Sequence, residues 1–324
     1  MLVLLNGELV PHDAARISIF DRGFIFGDGI YEGLRAIAAA GSPTGTRLIA
    51  PRLHAARMQH ALDEVRIPFT ASSLIEKTLD LLAANRLTDA FVYWHVSRGT
   101  PDLAAGPARS RTDIARLTPT VMAFCTPLPP LDFHALPATR RAATAPDVRW
   151  SLGHLKSTSL LGNVVAALAG AADETILIRD PEGAALVSEG TYTNVAAVLK
   201  SSAGATQIVT PSLESTSILN GVTRAILLLL VPEIIARPVT VAELRAADEI
   251  MLWGTTTLVA SITHLDGRAV GSGGSGPVAG RMLLQFLQFI QTHRDSTIDP
   301  QTLEWGPRDN PAKHPSPSQV NMIL

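Results

Sequence analysis

The 324-residue sequence has a single cysteine, Cys125, which excludes an internal disulfide and argues against a zinc site built from cysteines and histidines. Within the strand-like run VMAFC, Cys125 is predicted to be a small buried side chain. Net charge is also small, since 27 basic residues are balanced by 29 acidic ones, giving −2. A chain with this charge has no general electrostatic attraction to nucleic acid or to an anionic membrane, so we expect neither as a partner.

Long apolar runs are missing as well. The most conspicuous run, AILLLLV at residues 225–231, is far shorter than the roughly 20 residues that a membrane-spanning helix needs. The N-terminal stretch MLVLLNGELV has no basic segment and soon reaches the polar turn NGE, unlike a secretory signal. These observations predict a soluble, cytoplasmic protein.

Hydrophobic residues make up 46% of the chain, and its length suffices for two ordinary domains. We predict an α/β protein with mixed, largely antiparallel sheets, divided into a small α/β domain at residues 1–125 and a larger domain at residues 138–295. The proline-rich stretch at 126–137 is the predicted interdomain linker. Residues 296–324 are also rich in proline, and we predict that they are disordered or fold only against another surface.

Lysine is scarce, and one of the few lysines, Lys156, lies in the segment GHLKSTSLLGN at 153–163. Helical spacing predicts a helix over residues 155–173. Its apolar face would consist of Leu160, Leu161, Val164, Val165 and Leu168. A lysine at the start of such a helix can simply extend into solvent. It can also serve as a covalent amine, because an apolar setting favours the uncharged, nucleophilic form.

Three other segments contain candidate site residues. Glu189 follows a predicted strand in VSEGTYTN, Arg57 lies on a predicted helix in RLHAARM, and Thr223 follows a glycine in NGVTRA. Free N–H groups at a helix start, a hydroxyl and an arginine suit a phosphate, and GTTT at 254–257 offers a second such cradle. Taken singly, each has an ordinary structural interpretation. Taken together, a lysine, a carboxylate and a phosphate-binding set match what pyridoxal 5′-phosphate (PLP) requires.

The order and spacing of several segments, from residue 4 to about 293, resemble the fold-type IV PLP enzymes. That group contains D-amino-acid transaminases, branched-chain aminotransferases and aminodeoxychorismate lyases. The resembling segments are SIFDRGFIFGDGIYEGLR at 18–35, RLHAARM at 52–58, SRGT at 97–100, LKSTSLLGNVVAA at 155–167, DETILIRD and VSEGTYTN within 173–194, NGVTRA at 220–225 and LWGTTT at 252–257. The resemblance implies a small N-terminal α/β domain and a larger pseudo-barrel domain. It also implies a homodimer, with the active site between the domains and completed by a loop from the partner subunit.

The resemblance further implies residue roles. Lys156 matches the catalytic lysine that forms a Schiff base with PLP and then moves a proton at the substrate's Cα. Glu189 matches the carboxylate that faces the pyridine nitrogen, and Arg57 matches the phosphate arginine. The remaining matches around the cofactor are Asn194, Val222, Thr223, Thr255 and Thr256. Tyr31 matches an aromatic residue of the substrate pocket, and the backbone at Thr256 would help to bind the substrate carboxylate.

Two departures from the family pattern bear on the substrate. Branched-chain enzymes usually have a tyrosine five residues after the lysine, where this chain has Leu161, and this favours the D-amino-acid group. D-amino-acid transaminases usually follow RGT with an Arg-x-His pair that binds the α-carboxylate, but RGTPDLAAGP lacks that pair. Arg98 and Arg22 are then candidates for this role, and each has a structural alternative.

We therefore expect a D-amino-acid transaminase that moves the amino group of a D-alanine-like donor to a 2-oxo acid such as 2-oxoglutarate. The alternatives are a branched-chain L-amino-acid aminotransferase, an (R)-amine transaminase and an aminodeoxychorismate lyase. A catalytically idle protein that keeps the PLP fold is a further alternative from a different class.

Overall fold

A computed structural model describes residues 1–102, 110, 117–170, 172–180, 183–200 and 204–306 of the chain. Over these residues, the first sheet has six strands. They are β1 (Leu2–Leu5), β2 (Glu8–Pro11), β3 (Gly29–Ala38), β4 (Thr46–Leu48), β5 (Ala90–Ser97) and β6 (Thr120–Pro127). Their order is β2-β1-β6-β5-β3-β4, and all neighbouring strands are antiparallel.

The second sheet is formed by nine strands of the described residues and follows the first sheet in sequence. They are β7 (Ala138–Pro146), β8 (Glu174–Arg179), β9 (Leu186–Gly190), β10 (Asn194–Lys200), β11 (Thr206–Thr210), β12 (Ile234–Ala236), β13 (Glu249–Gly254), β14 (Leu258–Leu265) and β15 (Arg268–Ala269). The order is β12-β11-β10-β13-β14-β7-β8-β9, with β15 beside β14. Because β7 runs parallel to both β8 and β14, and β11 parallel to β12, this sheet is mixed.

Helices connect and cover the sheets. The helices are α1 (Arg22–Phe26), α2 (Pro51–Glu64), α3 (Leu74–Ala84), α4 (Leu161–Ala169), α5 (Leu213–Thr216), α6 (Val222–Leu230), α7 (Val241–Arg245) and α8 (Pro277–Gln291). Short 3₁₀ turns lie at Ala71–Ser73, Arg294–Thr297 and Pro300–Thr302. In the part of the chain that the structure describes, no helix is both long and apolar enough to cross a membrane.

Local sequence explains several of these elements. Asn6 and Gly7, both with positive φ, form the tight turn between β1 and β2, as the Asn-Gly pair predicts. In β5, buried and half-buried side chains alternate, which is the pattern of a strand with one face on the core. Cys125 lies in β6 and is completely buried, as predicted for a small apolar side chain.

Two hydrophobic clusters hold in place the helices and strands around the cleft described below. One lies between the first sheet and helices α2 and α3. The other joins α2, α6 and α8 to the second sheet and includes Leu53, Val222 and Trp305. Since α2 contributes to both clusters, it is packed on one side by the first sheet and on the other by elements from the C-terminal half of the chain.

The predicted helix over residues 155–173 is wrong in its extent, because α4 covers only Leu161–Ala169. The residues before it pair with the start of β3 instead: Ile30 forms a β-bridge with Ser157, and the Tyr31 N–H donates to the Lys156 carbonyl at 2.9 Å. Lys156 therefore lies in an extended loop. The leucines and valines of α4 form an apolar face as predicted, but they are exposed in the single chain, Leu168 by 81%.

The C-terminal tail was predicted either to be disordered or to fold only against another surface. Residues 296–306 are folded and contain the second half of one 3₁₀ turn and the whole of another. Trp305 is buried with only 6% of its surface exposed, and this burial explains why the segment is ordered. Residues 307–324 lie outside the described residues.

Candidate active site

A cleft lies where the loop before α4, the β9–β10 turn and the start of α6 meet, and its empty volume is about 750 Å³ when the open solvent at its mouth is included. Most of the residues predicted for the site line this cleft. They are Tyr31, Arg57, Lys156, Glu189, Asn194, Val222, Thr223 and Thr255. Residues up to 224 positions apart in the sequence thus line one pocket, to which both sheets contribute.

Lys156 projects into the cleft beside Tyr31. Its Nζ lies 3.3 Å from the Tyr31 hydroxyl and 4.4 Å from the centre of the Tyr31 ring. The backbone pairing of the Lys156 loop with β3 fixes the separation between these two residues. An amine held in this way at a pocket wall can react with a carbonyl group bound in the cleft.

Glu189, near the end of β9, is buried and lines the same cleft. Its carboxylate accepts hydrogen bonds from Arg149 Nη1 at 2.7 Å, from Asn194 Nδ2 at 3.2 Å and from the Leu219 N–H at 3.2 Å. Burial raises the pKa of Glu189, and the positive charge of Arg149 only partly opposes that rise. The carboxylate is therefore a poorly solvated negative group that favours a positive partner.

Arg149 is a cleft residue that the sequence analysis missed. It donates to both oxygens of Asp147, at 2.9 and 3.0 Å, as well as to Glu189. Burial alone would raise the pKa of Asp147, but hydrogen bonds and charge from Arg149 and Arg179 lower it to about 2. Asp147 and Arg149 form a D-x-R pair directly after β7, and this acidic and basic pair at a strand end was the available signal.

Arg57 is held in the cleft by a buried network on α2 and β3. It donates to both oxygens of Glu32 at 2.7 Å and to the Asn220 carbonyl at 3.0 Å. Burial by itself would raise the pKa of Glu32, yet Arg57 and His54 lower it to about 2. Burial in turn lowers the pKa of His54, although its bond to Glu32 acts in the opposite direction. Neither Glu32 nor His54 was predicted, although both lie within the quoted motifs.

The start of α6 supplies free backbone N–H groups that, together with Arg57, suit an anion. Gly221 is the N-cap residue, and it offers no side chain to cap the first N–H groups, which belong to Val222 and Thr223. The Gly221 N–H itself donates to Asn194 Oδ1 at 3.2 Å. Asn194 also bonds Glu189, so it connects the carboxylate side of the cleft with the helix start.

Arg98, a candidate for binding the substrate carboxylate, has structural partners in the single chain, and its substrate role stays a prediction. Arg98 lies outside the cleft lining and donates to both oxygens of Asp28, at 2.8 and 2.9 Å, and to the carbonyls of Val65 and Arg66. Arg22 also pairs with Asp28, at 2.8 Å. Both guanidinium groups thus have a structural role in the single chain.

Thr256 is likewise outside the lining residues and is exposed, whereas its neighbour Thr255 lines the cleft. The hydroxyl expected from this turn is therefore present at Thr255. The backbone role assigned to Thr256 stays a prediction.

The donor set in the cleft fits PLP. Arg57 uses three of its five N–H groups on partners within the described part of the chain, which leaves two for a phosphate beside the uncapped start of α6. Lys156 supplies an amine for the aldehyde carbon. Glu189 supplies a buried carboxylate that would be stabilised by a protonated ring nitrogen.

Comparisons with known proteins agree with this interpretation. A family model described as amino-transferase class IV matches residues 29–265. The D-alanine aminotransferase of Bacillus licheniformis is 35% identical over 307 residues, covering 92% of this chain and 100% of that protein. A Methanocaldococcus jannaschii protein, provisionally named a branched-chain-amino-acid aminotransferase, is 29% identical over 298 residues, covering 88% of this chain and 95% of that protein.

Solved structures share the fold. A branched-chain aminotransferase from Thermoproteus uzoniensis, solved with norvaline, gives a TM-score of 0.76 at 22% identity and covers 91% of this chain and 96% of that chain. The branched-chain amino acid aminotransferase from Thermobaculum terrenum, solved in its PLP form, gives 0.73 at 20% identity, covering 91% and 95%. At these identities, the two structures are similar to this chain in fold alone.

Proposed function

Because this chain belongs to the class IV aminotransferases, as its motifs predicted, we propose that it transfers the amino group of a D-amino acid such as D-alanine to a 2-oxo acid. The predicted two-domain α/β fold, the enzyme class and the cofactor are confirmed with the family: the protein is a PLP-dependent aminotransferase. The observation that carries the substrate proposal is the 35% identity to a D-alanine aminotransferase. The match covers the whole length of that enzyme and 92% of this chain.

PLP supplies an aldehyde that can bind the donor's amino group and a ring that can accept electrons from the donor's Cα. Lys156 would provide the amine that anchors the cofactor and then act as the base and acid at Cα. Its 3.3 Å contact with the Tyr31 hydroxyl supports this role, because the hydroxyl can orient the amine toward the centre of the cleft.

Glu189 would stabilise a proton on the ring nitrogen, which makes the ring a better electron acceptor. Arg149 supports this role in two ways. Its 2.7 Å bond orients the Glu189 carboxylate, and its charge favours the ionised form against the effect of burial.

The phosphate would bind between Arg57, the N–H groups of Val222 and Thr223, and the Thr255 hydroxyl. A helix start favours an anion because its free N–H groups and its dipole point to the same place. Asn194 would position Gly221 for this purpose through the bond to the Gly221 N–H.

The substrate carboxylate would bind near the Tyr31 hydroxyl and the backbone N–H groups around Thr256. The Arg-x-His pair that usually has this task is absent from the sequence, and Arg98 is engaged by Asp28. We therefore assign no arginine of this chain to the carboxylate.

A second copy of the chain would complete the enzyme as a homodimer. Its support here is the exposed apolar face of α4, formed by Leu161, Val164, Val165 and Leu168, which begins five residues after Lys156. Apolar side chains exposed together beside an active-site cleft are typical of a surface that a subunit covers.

The half-reaction tests the substrate proposal. PLP-loaded protein would be mixed separately with D-alanine, L-leucine and (R)-1-phenylethylamine, and conversion of the bound cofactor to pyridoxamine 5′-phosphate would be followed by absorbance. We expect rapid conversion with D-alanine and slow conversion with the others. Rapid conversion with L-leucine alone would identify a branched-chain aminotransferase, which the Methanocaldococcus relative favours.

Conversion with the amine alone would identify an (R)-amine transaminase, whose substrates have no carboxylate to bind. If no donor converts the cofactor, the transamination proposal is wrong and pyruvate release from aminodeoxychorismate should be assayed for the lyase. Lys156→Ala protein is the control, because its bound cofactor should stay unchanged with every donor.

A further inference from the structure

The chain continues past α8 and folds back along α2 over residues 294–306, here named the C-terminal segment. The family match ends at residue 265, before this segment begins. The contacts of this segment lead from the beginning of α2 to the residues next to the cleft.

The segment is first attached to the N-terminus of α2. Asp295 accepts a hydrogen bond from the Ala50 N–H at 2.8 Å and pairs with Arg47 at 3.3 Å. Ala50 is the N-cap residue of α2, has a left-handed backbone and no polar side chain of its own. Asp295 thus fixes the N-cap residue and places a negative charge at the N-terminus of the helix that carries Arg57.

The segment next contacts the residue that connects Arg57 with α6. The Glu304 carbonyl accepts from Asn220 Nδ2 at 2.6 Å. The Asn220 carbonyl accepts from Arg57 at 3.0 Å, and its side-chain oxygen accepts from Arg224 at 3.0 Å. Asn220 immediately precedes the N-cap of α6, so its orientation determines where the helix start lies relative to Arg57.

The end of the segment packs between α2 and the loop that carries the catalytic lysine. Trp305 is buried in the same hydrophobic cluster as Leu53 of α2 and Val222 of α6. Gly306 lies against two imidazole rings, because a Cβ added to it would be 3.1 Å from both His60 and His154.

His154 is the link to the lysine. It precedes Lys156 by two residues and bonds Glu64 of α2 at 2.9 Å. The C-terminal segment thus touches the helix of Arg57, the start of α6 and the Lys156 loop. These three parts must be correctly placed relative to one another to bind one cofactor.

We propose that residues 303–306 are a positioning element of the PLP site: they orient Asn220 and His154, and thereby set the distance between the phosphate cradle and Lys156. The inference rests on the proposed roles of Arg57, α6 and Lys156. A ligand bound by three separate parts of a chain is retained longer when those parts are ordered beforehand. Loosening the segment should therefore speed the release of PLP more than it lowers overall stability.

The test compares Trp305→Ala with Phe286→Ala, which removes another buried aromatic side chain of the same cluster from α8, outside the cleft lining. Holoenzyme would be diluted into a PLP scavenger, and the loss of visible absorbance would give the release rate. Hydrogen exchange of the backbone amides at 219–224 and 153–157 would be measured on the same proteins without cofactor. Thermal unfolding would report the general loss of stability.

We expect Trp305→Ala to release PLP roughly tenfold to a hundredfold faster than wild type, the range found when residues that orient a ligand's contacts are removed. The backbone amides of both stretches, 219–224 and 153–157, should exchange with solvent faster as well. Phe286→Ala should release PLP at the wild-type rate even at an equal loss of thermal stability, and Trp305→Phe should restore slow release.

Gly306→Ala is a milder variant for the case that Trp305→Ala does not fold. Its added methyl group would lie 3.1 Å from both histidine rings, which must shift slightly to admit it, so we again expect faster release. Equal release rates for the tryptophan, glycine and phenylalanine variants would overturn the inference and leave the aminotransferase proposal intact. A wild-type protein that binds no PLP would overturn the proposed roles and this inference together.

Discussion

Arg149 donates to Glu189 across 2.7 Å inside the cleft, where the ring nitrogen of PLP is proposed to lie. The carboxylate therefore has a cationic partner before any cofactor binds. Arg149 is itself held by Asp147, which prevents it from turning toward a substrate carboxylate. Arg149 and Asp147 together therefore control the charge of Glu189. The proposed ability of the PLP ring to accept electrons depends on that charge.

The first prediction concerns pH. Burial raises the pKa of Glu189 and Arg149 opposes that rise, so Arg149→Met should raise this pKa further. The ionised carboxylate would then be lost at a higher pH as the medium is acidified. We expect the acidic limb of the kcat/KM profile for the amino donor to move to higher pH. Arg179→Met is the matched control, because Arg179 pairs with Asp147 and not with Glu189. An unchanged acidic limb in Arg149→Met would contradict this role.

The second prediction concerns the lysine. Lys156→Ala should lower transamination by more than about 1,000-fold, because covalent anchoring and proton transfer are lost together. Borohydride treatment followed by peptide mass analysis should place PLP on the peptide that contains Lys156 in the wild type and on no peptide in the variant. Lys200→Ala is the control, since Lys200 is exposed and pairs only with Asp248 among the described residues. Labelling of another lysine in wild-type protein would refute the assignment.

The third prediction concerns the N-cap of α6. A Cβ added at Gly221 would lie 2.1 Å from Asn194 Oδ1, so Gly221→Ala must move either Asn194 or the helix start. We expect weaker PLP binding, measured by titrating the apoprotein with PLP. Gly280→Ala in α8 is the matched change, because no atom lies within 4 Å of the added Cβ. It should leave PLP binding unchanged and stabilise the helix by about 0.5–1 kcal/mol. Equal PLP affinity in both variants would show that Gly221 is not needed.

The fourth prediction concerns the buried network of Glu32. Burial would raise its pKa, but Arg57 and His54 lower it from the usual 4.5 to about 2. Between these pH values the unfolded chain binds a proton that the folded chain does not, so stability rises with pH in this window and is lost on acidification. Glu32→Gln should remove that dependence and cost roughly 3–5 kcal/mol at neutral pH, because Arg57 loses its buried partner.

Urea unfolding at several pH values would measure both effects. Glu8→Gln in the exposed β1–β2 hairpin is the control and should change neither the stability at neutral pH nor its slope. A Glu32→Gln protein with wild-type stability at neutral pH would contradict the prediction. It would show that the attraction between Glu32 and Arg57 only offsets the free-energy cost of removing the two charges from water.

The motifs alone predicted much of the cleft. Lys156, Glu189, Arg57 and the GVT segment were identified from residue type and spacing, because the chemistry of a PLP site restricts which side chains can serve. Their partners were harder to foresee. Arg149, Glu32 and His54 act through contacts between residues distant in sequence, and neither charge nor helical spacing reports which distant side chain a group will meet. The partner of Arg98 was not foreseen for the same reason, since Asp28 lies 70 positions away.

The sequence by itself determined the family, the cofactor and the strands and helices whose patterns are local, such as the Asn6–Gly7 hairpin. Only the tertiary structure decided that the lysine lies in an extended loop rather than on a helix, because pairing with β3 outweighed the helical spacing of the apolar residues that follow. It also decided that residues 296–306 are ordered. Burying Trp305 against α2 and α6 offsets the loss of conformational entropy when this segment becomes ordered. That gain exists only once the two halves of the chain have packed together.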